Sequence, residues 1–214
     1  MQFFNLSGDE RQGRWAYRDG IMRRLLFVFL CHAILMPLAI AGAGEDLLAA
    51  ARKQVGVTLR YDPAYVSLKY PGGDVPLDGG VCTDVLIRAL REGAKMDLQR
   101  LVHEDMAANF ALYPKIWGLK RPDKNIDHRR VPNLRTWFKR KGYQLPLPKP
   151  GAVDGFLPGD IVTCTVPPHL PHVMIVSDHK TADGRPLVIH NIGSGAREED
   201  RLADFPLTGL YRLK

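Results

Sequence analysis

The pattern of apolar residues changes once along this chain, and that change limits the fold more than any other feature. Before residue 145, apolar residues recur at helical spacing, as Leu86 and Leu90 do in segment 81–91. After the proline-rich link at 145–158, they lie in short segments rich in β-branched residues and separated by turns. This order predicts an α+β domain with N-terminal helices packed on a small antiparallel sheet. The predicted helices are 45–55, 81–91, 97–110 and 131–141, and the predicted strands are 161–166, 173–177, 187–190 and 209–213.

The N-terminal region has the composition of a secretory signal. Met22-Arg23-Arg24 precedes an apolar run that closes on the small residues of Ala39-Ile40-Ala41. That run is short for a membrane span and is interrupted by a histidine and a proline, which favours cleavage. We therefore predict a signal region at 1–41, with Met22 as an alternative start, and a single domain at 42–214. The protein is expected in the periplasm or secreted from a bacterium, meeting the membrane only through its signal before cleavage.

Charge gives a weak indication of the partner. The chain carries a formal net charge of +7, and residues 1–41 hold two more basic than acidic groups, so the remainder carries +5. This excess suits a protein that works beside an anionic envelope polymer or lipid surface, and it does not require nucleic acid. Export argues further against a nucleic-acid partner. No feature of the sequence predicts the oligomeric state.

Three residues are spaced as a nucleophile, a general base and an orienting group. Cys82 follows Gly79-Gly80 at a predicted helix start, where backbone amides lower a thiol pKa and face a developing oxyanion. His172 begins one predicted strand, and His190 lies near the end of the next. Adjacent strands can place both histidines on one face, and a helix packed across that face would present Cys82 to His172. Asn191 is the alternative third residue, because only one of two neighbours can face the site.

Several motifs resemble those of NlpC-like cell-wall cysteine peptidases, which are papain-superfamily enzymes that cleave peptidoglycan stem peptides. The tyrosine, paired-glycine and cysteine signature is matched by Tyr70-Pro71-Gly72-Gly73 and Gly80-Val81-Cys82-Thr83-Asp84. Pro158-Gly159-Asp160-Ile161-Val162 resembles the opening of their sheet. His172-Val173 and Ile189-His190 resemble the strands that carry the base and the third catalytic residue.

The resemblance covers roughly residues 61–213. It implies a papain-like fold, a Cys82, His172 and His190 site, a peptide or peptidoglycan substrate and no cofactor. Segment 125–131 is further similar to a group of exported bacterial proteins whose function is uncharacterised.

The chain departs from the family pattern in two places. Val81 stands before the cysteine where these enzymes usually have an aspartate, and a helical insert at about 98–142 is longer than the minimal domain. Asp84 is a candidate to replace the missing carboxylate as a helix cap, because carboxylates are favoured in the first turn.

Other residues have both a functional and a structural interpretation. Tyr70 is a candidate donor near the oxyanion, or a packing residue of its loop. Arg129 and Arg130 are candidates to bind the acidic end of a substrate, or members of a salt-bridged loop. Cys164 alternates with apolar residues on one strand face, which favours a core position, although a disulfide to Cys82 is the alternative in an oxidising compartment. The histidines lack the spacing of a zinc motif, so no metal is predicted.

These observations favour an exported cysteine hydrolase that cleaves amide bonds, and the resemblance implies peptidoglycan stem peptides as the substrate. Two alternatives come from other functional classes. A non-catalytic envelope-binding module would keep the fold without using the thiol. A thiol acyltransferase or lipid-directed enzyme would pass the acyl group to an acceptor other than water.

Overall fold

The computed structural model describes residues 42–152 and 154–214, which form a mixed α+β domain with four α-helices and an antiparallel sheet, as predicted. The predicted signal region, 1–41, lies outside the described residues. Each described helix is too short or too polar to pass through a lipid bilayer. The helices are α1 (Ala43–Arg52), α2 (Cys82–Gly93), α3 (Leu98–Asn109) and α4 (Val131–Arg140), and the strands are β1 (Arg60–Tyr61), β2 (Gly79–Gly80), β3 (Gln144–Leu145), β4 (Ile161–Val166), β5 (Leu170–Lys180), β6 (Pro186–Asn191), β7 (Ala196–Glu199) and β8 (Leu207–Tyr211).

The main sheet has six strands in the order β3-β8-β4-β5-β6-β7, and every neighbouring pair is antiparallel. The strands predicted from the sequence correspond to β4, β5, β6 and β8. Strands β3 and β7 were missed, since segments of two and four residues carry too little alternation to be recognised. The loop at 61–80, predicted to lack regular structure, holds the short β1 and β2 at its ends, and these pair in parallel.

The two faces of the sheet contribute to separate cores. On one face, Val173, Ile175 and Ile189 pack in the same cluster as the apolar side of α2. On the other face, Cys164 and Met174 belong to a second cluster. Because side chains alternate along a strand, the parity of a residue number on β5 fixes which core it faces.

Helix α2 begins where the chain can satisfy its first amides. The carboxylate of Asp84 accepts the backbone N–H of Val81 at 2.7 Å, which confirms the predicted role of Asp84 as a cap. Gly80 has φ +144°, and a Cβ there would lie 2.9 Å from Cβ of Asp84. A glycine is therefore needed two residues before Cys82 for the chain to enter the helix this tightly.

A buried arginine of α2 fixes the loop that leads into that helix. The Arg88 guanidinium donates to the carboxylate of Asp74 at 2.8 Å and to the carbonyls of Val75 and Gly79, both at 3.1 Å. These bonds satisfy backbone carbonyls of the loop that have no partner in a β-ladder or a helix. The loop is consequently held against the helix whose first residue is Cys82.

Candidate active site

Cys82 is the first residue of α2, and its side chain is almost fully buried. The backbone N–H groups of Val173, Thr83 and Cys82 itself favour a charged sulfur and act to lower the pKa of the thiol. Burial outweighs these amides and, with a smaller effect from Asp84, raises the pKa of the Cys82 thiol to about 12. The resting group is therefore a neutral thiol, whereas the sequence predicted a lowered pKa.

The two predicted histidines are in direct contact, and a carboxylate extends their chain. Nε2 of His172 lies 2.8 Å from Nδ1 of His190, and both rings are buried. Nε2 of His190 lies 3.1 Å from Oε1 of Glu199. Glu199 is not among the residues predicted from the sequence, because it lies on the short strand β7. Glu199 pairs with Val188, which lies on the same face of the sheet as His190. This pairing joins two strands and cannot be recognised from the local sequence.

The carboxylate fixes the tautomer of each ring. An ionised carboxylate only accepts hydrogen bonds, so Nε2 of His190 carries the proton and its Nδ1 is an acceptor. Nε2 of His172 must then donate to that Nδ1. The lone pair of His172 is left on its own Nδ1, which bonds to no other residue in the described ranges.

Both rings are neutral around pH 7. Burial, reinforced by the neighbouring His190, lowers the pKa of His172 to about 3. Burial also lowers the pKa of His190, although Glu199 acts in the opposite direction. A neutral imidazole with a free lone pair is able to accept a proton, which is one requirement for a general base. The second requirement, a pKa near the working pH, is not met at rest, because burial lowers the pKa of His172.

The position of the thiol relative to the histidines corrects one expectation. Helix α2 does not pack across the face that carries them, because Val173 faces the helix and His172 pairs with Cys164, whose side chain lies in the second core. Cys82 instead meets β5 at the amide of Val173, next in sequence to His172. Among the described residues, no hydrogen bond joins Sγ of Cys82 to the His172 imidazole.

An open cleft of about 220 Å³ reaches Cys82 from outside. Tyr61 lines it, and the pKa of Tyr61 is raised by burial and then by the proximity of Cys82. Pairing of Tyr61 with Gly80 in the β1–β2 ladder brings this ring to the start of α2. No local signal in the sequence indicates this long-range pairing.

Two predicted support residues lie elsewhere. Tyr70 packs edge-to-face on His103, with ring centroids 5.3 Å apart, and it does not line the cleft. Asn191 donates to the carbonyl of Gly80 at 2.9 Å, so it holds the loop before α2. The structure therefore brings His190, and not Asn191, into contact with His172.

The two predicted substrate-binding arginines have different environments. Arg129 is buried, and its Nε and Nη2 each donate to the Asp84 carboxylate at 2.9 Å. Its Nη1 and Nη2 also donate to the carbonyls of Ala64 and Asp62. All its donor nitrogens are thus occupied by the protein, which makes it a structural ion pair. Both arginines line the cleft beside Cys82, but Arg130 forms no side-chain hydrogen bond within the described ranges.

Cys82 and Cys164 are both free thiols, so the alternative of a disulfide between them is wrong for this structure. Cys164 is buried in the second core, where burial raises its pKa to about 12, with a smaller effect from Cys82. It has the core position that the sequence favoured. The thiol of Cys82 thereby stays available for chemistry.

A second group of polar side chains could in principle hold a metal ion. Potential ligand atoms of Asp178, His179 and Glu198 lie within 4.8 Å of one another. The guanidinium of Arg52 already bonds to both carboxylates, at 3.0 Å for Glu198. Since this cation supplies the positive charge that the carboxylates need, the arrangement favours an ion-pair network over a metal site.

Comparisons with known proteins found one matching family model and a similar bacterial protein. A family model described as "Domain of unknown function (DUF1287)" matches residues 48–213. The chain is also 53% identical over 195 residues to "Uncharacterized protein YijF" of Escherichia coli (strain K12), covering 88% of this chain and 94% of that protein. No solved structure matches the chain. Because the family match spans more than half of its length, the chain belongs to the DUF1287 family.

Proposed function

We propose that this protein is a cysteine hydrolase that cleaves amide bonds through Cys82, with His172 as general base. One observation carries the proposal: a thiol at a helix N-terminus lies beside the amide that follows a buried histidine, whose lone pair is oriented by a His190–Glu199 chain. Helices followed by an antiparallel sheet, with this order of residues, support a papain-like arrangement of the NlpC type.

The reaction begins with proton transfer and attack. The Sγ–H proton of Cys82 moves to Nδ1 of His172 while the sulfur adds to the carbonyl carbon of the substrate. The developing oxyanion is stabilised by the backbone N–H of Cys82 and the hydroxyl of Tyr61, a role that is supported by the position of both residues in the lining of the cleft. Collapse breaks the C–N bond, and His172 gives its proton to the leaving amine.

A thioacyl enzyme remains, and water completes the cycle. His172 takes a proton from water as its oxygen adds to the thioester carbon, and the C–S bond then breaks. The proton returns to the sulfur, so the products are a carboxylic acid and the original thiol. Throughout, His190 and Glu199 keep the lone pair of His172 on Nδ1.

The proposal requires one movement. Sγ of Cys82 must come within hydrogen-bonding distance of Nδ1 of His172, the residue that precedes Val173 at the start of β5. Catalytic hydrogen bonds are often long or misaligned before substrate binds, so their absence at rest is compatible with the mechanism. The neutral thiol at rest means that deprotonation accompanies attack, because no thiolate is stored beforehand.

The proposed substrate is a peptidoglycan stem peptide or a related peptide outside the cytoplasm. Three features of the sequence support it: the signal-like region at 1–41, the net positive charge, and the resemblance to cell-wall cysteine peptidases.

Mass analysis of peptidoglycan fragments tests the proposal. Purified protein is incubated with peptidoglycan, and Cys82→Ala is compared with Cys164→Ala, which removes the other buried thiol. We expect fragments that have gained one water in the wild type and in Cys164→Ala, and none in Cys82→Ala.

Identical product profiles for the wild type and Cys82→Ala would reject the hydrolase. Unchanged wall binding by both proteins would then favour the envelope-binding module. Products carrying the acyl group on a lipid or amine would instead identify an acyltransferase.

A further inference from the structure

Arg130 differs from its neighbour Arg129 in having unused hydrogen-bonding capacity at the cleft. Its guanidinium carbon lies over the Trp117 ring, 4.1 Å from the ring centroid, so the indole holds the group by a cation–π contact. Both residues line the cleft that reaches Cys82. The stacked guanidinium is consequently oriented before any ligand binds, which reduces the entropy lost on binding.

The nearest carboxylate leaves this guanidinium incompletely bonded. Nη1 of Arg130 lies 3.6 Å from Oδ1 of Asp127, which is longer than a hydrogen bond. Both atoms are buried, and neither has a hydrogen-bond partner within the described ranges. Because Nη1 is buried against Asp127, a ligand in the cleft meets the edge of the guanidinium that carries Nε and Nη2, and neither of these nitrogens forms a hydrogen bond within the described ranges.

The position of Asp127 does not block an incoming anion. Its other oxygen, Oδ2, accepts the backbone N–H of Asp123, which ties the carboxylate to its own turn. Asp127 is absent from the residues that line the cleft, whereas Arg130 is among them. An anion in the cleft therefore meets the guanidinium and not the carboxylate behind it.

We propose that Arg130, held on Trp117, binds a free carboxylate of the substrate, so that the substrate class is a peptide with a carboxylate close to the amide that is cleaved. A paired N–H fork and a carboxylate form two parallel hydrogen bonds, which a lysine at this position could not reproduce. The carboxylate belongs to the peptide C-terminus or to an acidic side chain. The cleavage part of this inference rests on the proposed function, whereas the carboxylate-binding part does not.

Binding measurements on a protein that cannot turn over substrate test the inference. In the Cys82→Ala background, fluorescence anisotropy is measured with three labelled tetrapeptides that contain one glutamate. The first has both carboxylates free, the second has an amidated C-terminus, and the third has an amidated side chain. We expect one amidation to weaken binding at least about 10-fold, which identifies the source of the carboxylate.

Substitution of Arg130 shows whether this residue causes the discrimination. Arg130→Gln should bind all three peptides equally and weakly, and Arg130→Lys should restore only part of the difference. Arg100→Gln, which changes an exposed arginine of α3, should behave like the parent. The inference would be overturned if the parent protein bound the three peptides with equal affinity, or bound none of them measurably. This outcome does not depend on whether an Arg130 variant folds.

The two proposals fail in distinguishable ways. Carboxylate-dependent binding without release of peptide fragments by the protein that retains Cys82 would keep Arg130 as the anion site and reject the hydrolase. Hydrolysis at equal rates for the free and both amidated peptides would keep the hydrolase and reject the role of Arg130.

Discussion

Strand β5 carries a histidine–carboxylate cluster at each end, and the two clusters lie on opposite faces of the sheet. Near the start of β5, the buried cluster consists of His172, His190 and Glu199. Near its end, the surface cluster contains His179 and Glu198, whose atoms approach to 3.1 Å. Glu198 and Glu199 are consecutive on β7, so strand alternation alone directs them to different clusters.

The clusters differ in how their charges are balanced. The surface cluster also includes Asp178 and Arg52, and the Arg52 guanidinium bonds to both carboxylates. In the buried cluster, no guanidinium of the described residues bonds to the Glu199 carboxylate. Burial lowers the pKa of both histidines, Arg201 acts in the same direction on His190, and His172 keeps a lone pair. Similar residues thus form a structural ion-pair network where an arginine bridges the carboxylates, and a proton acceptor where burial keeps the histidines neutral.

The largest expected effect separates Glu198 from Glu199. Glu199→Gln should lower kcat/KM on the order of 10³-fold, because an amide can donate to His190 and reverse the tautomers of both rings. Glu198→Gln should change kcat/KM less than about 2-fold, since its cluster lies away from the thiol. Peptide release measured by chromatography checks both values. Equal losses of kcat/KM in the two variants would show that the two clusters do not differ in their role in catalysis.

Acid should destabilise the fold through the buried cluster. The pKa of His172 is about 3 in the folded protein against an ordinary value of 6.5, so the unfolded chain binds a proton first as the pH falls. The stabilisation is complete above about pH 6.5 and is lost as the pH falls towards 3. Between pH 7 and 5, His172 alone should lower the free energy of unfolding by about 2 kcal/mol.

Urea titrations at pH 7, 6 and 5 measure this effect. His172→Gln should reduce the dependence on pH, whereas His179→Gln, which changes an exposed ring, should leave it intact. Some dependence should remain in His172→Gln, because burial also lowers the pKa of His128 to about 3. An unchanged slope in His172→Gln would show that its ring is not held neutral.

A smaller effect is expected from the cation of the surface cluster. Arg52→Gln should lower the free energy of unfolding by about 1 kcal/mol, because two carboxylates lose their partner in a partly solvated site. The loss should shrink in 1 M NaCl, where screening weakens the attraction between exposed charges. Urea titrations at two salt concentrations measure it, and a loss independent of salt would contradict the ion-pair interpretation.

The smallest effect is expected at the surface histidine. His179→Gln should change the free energy of unfolding by less than about 0.5 kcal/mol at pH 7, because more than half of its side chain is exposed. Thermal unfolding followed by circular dichroism is sufficient for this comparison. A loss as large as that of Arg52→Gln would show that the histidine contributes substantially to the surface cluster.

The sequence by itself determined the order of helices and strands, because helical and alternating patterns are local. It also determined that Cys82 begins a helix, since glycine is required at Gly80 and Asp84 caps the first turn. The contact between His172 and His190 could be predicted as well, because His172 lies near the start of one strand and His190 lies near the end of the next, antiparallel strand.

Only the tertiary structure decided which face of the sheet the helix covers. The alternation of side chains shows which residues share a face, but it does not show which element packs on that face. It also decided that Glu199 completes the buried cluster and that Tyr61, rather than Tyr70, approaches Cys82. These contacts join segments far apart in sequence through strands of only two to four residues. Strands this short have no periodicity to recognise, and burial fixes their pairing only when the whole chain has folded.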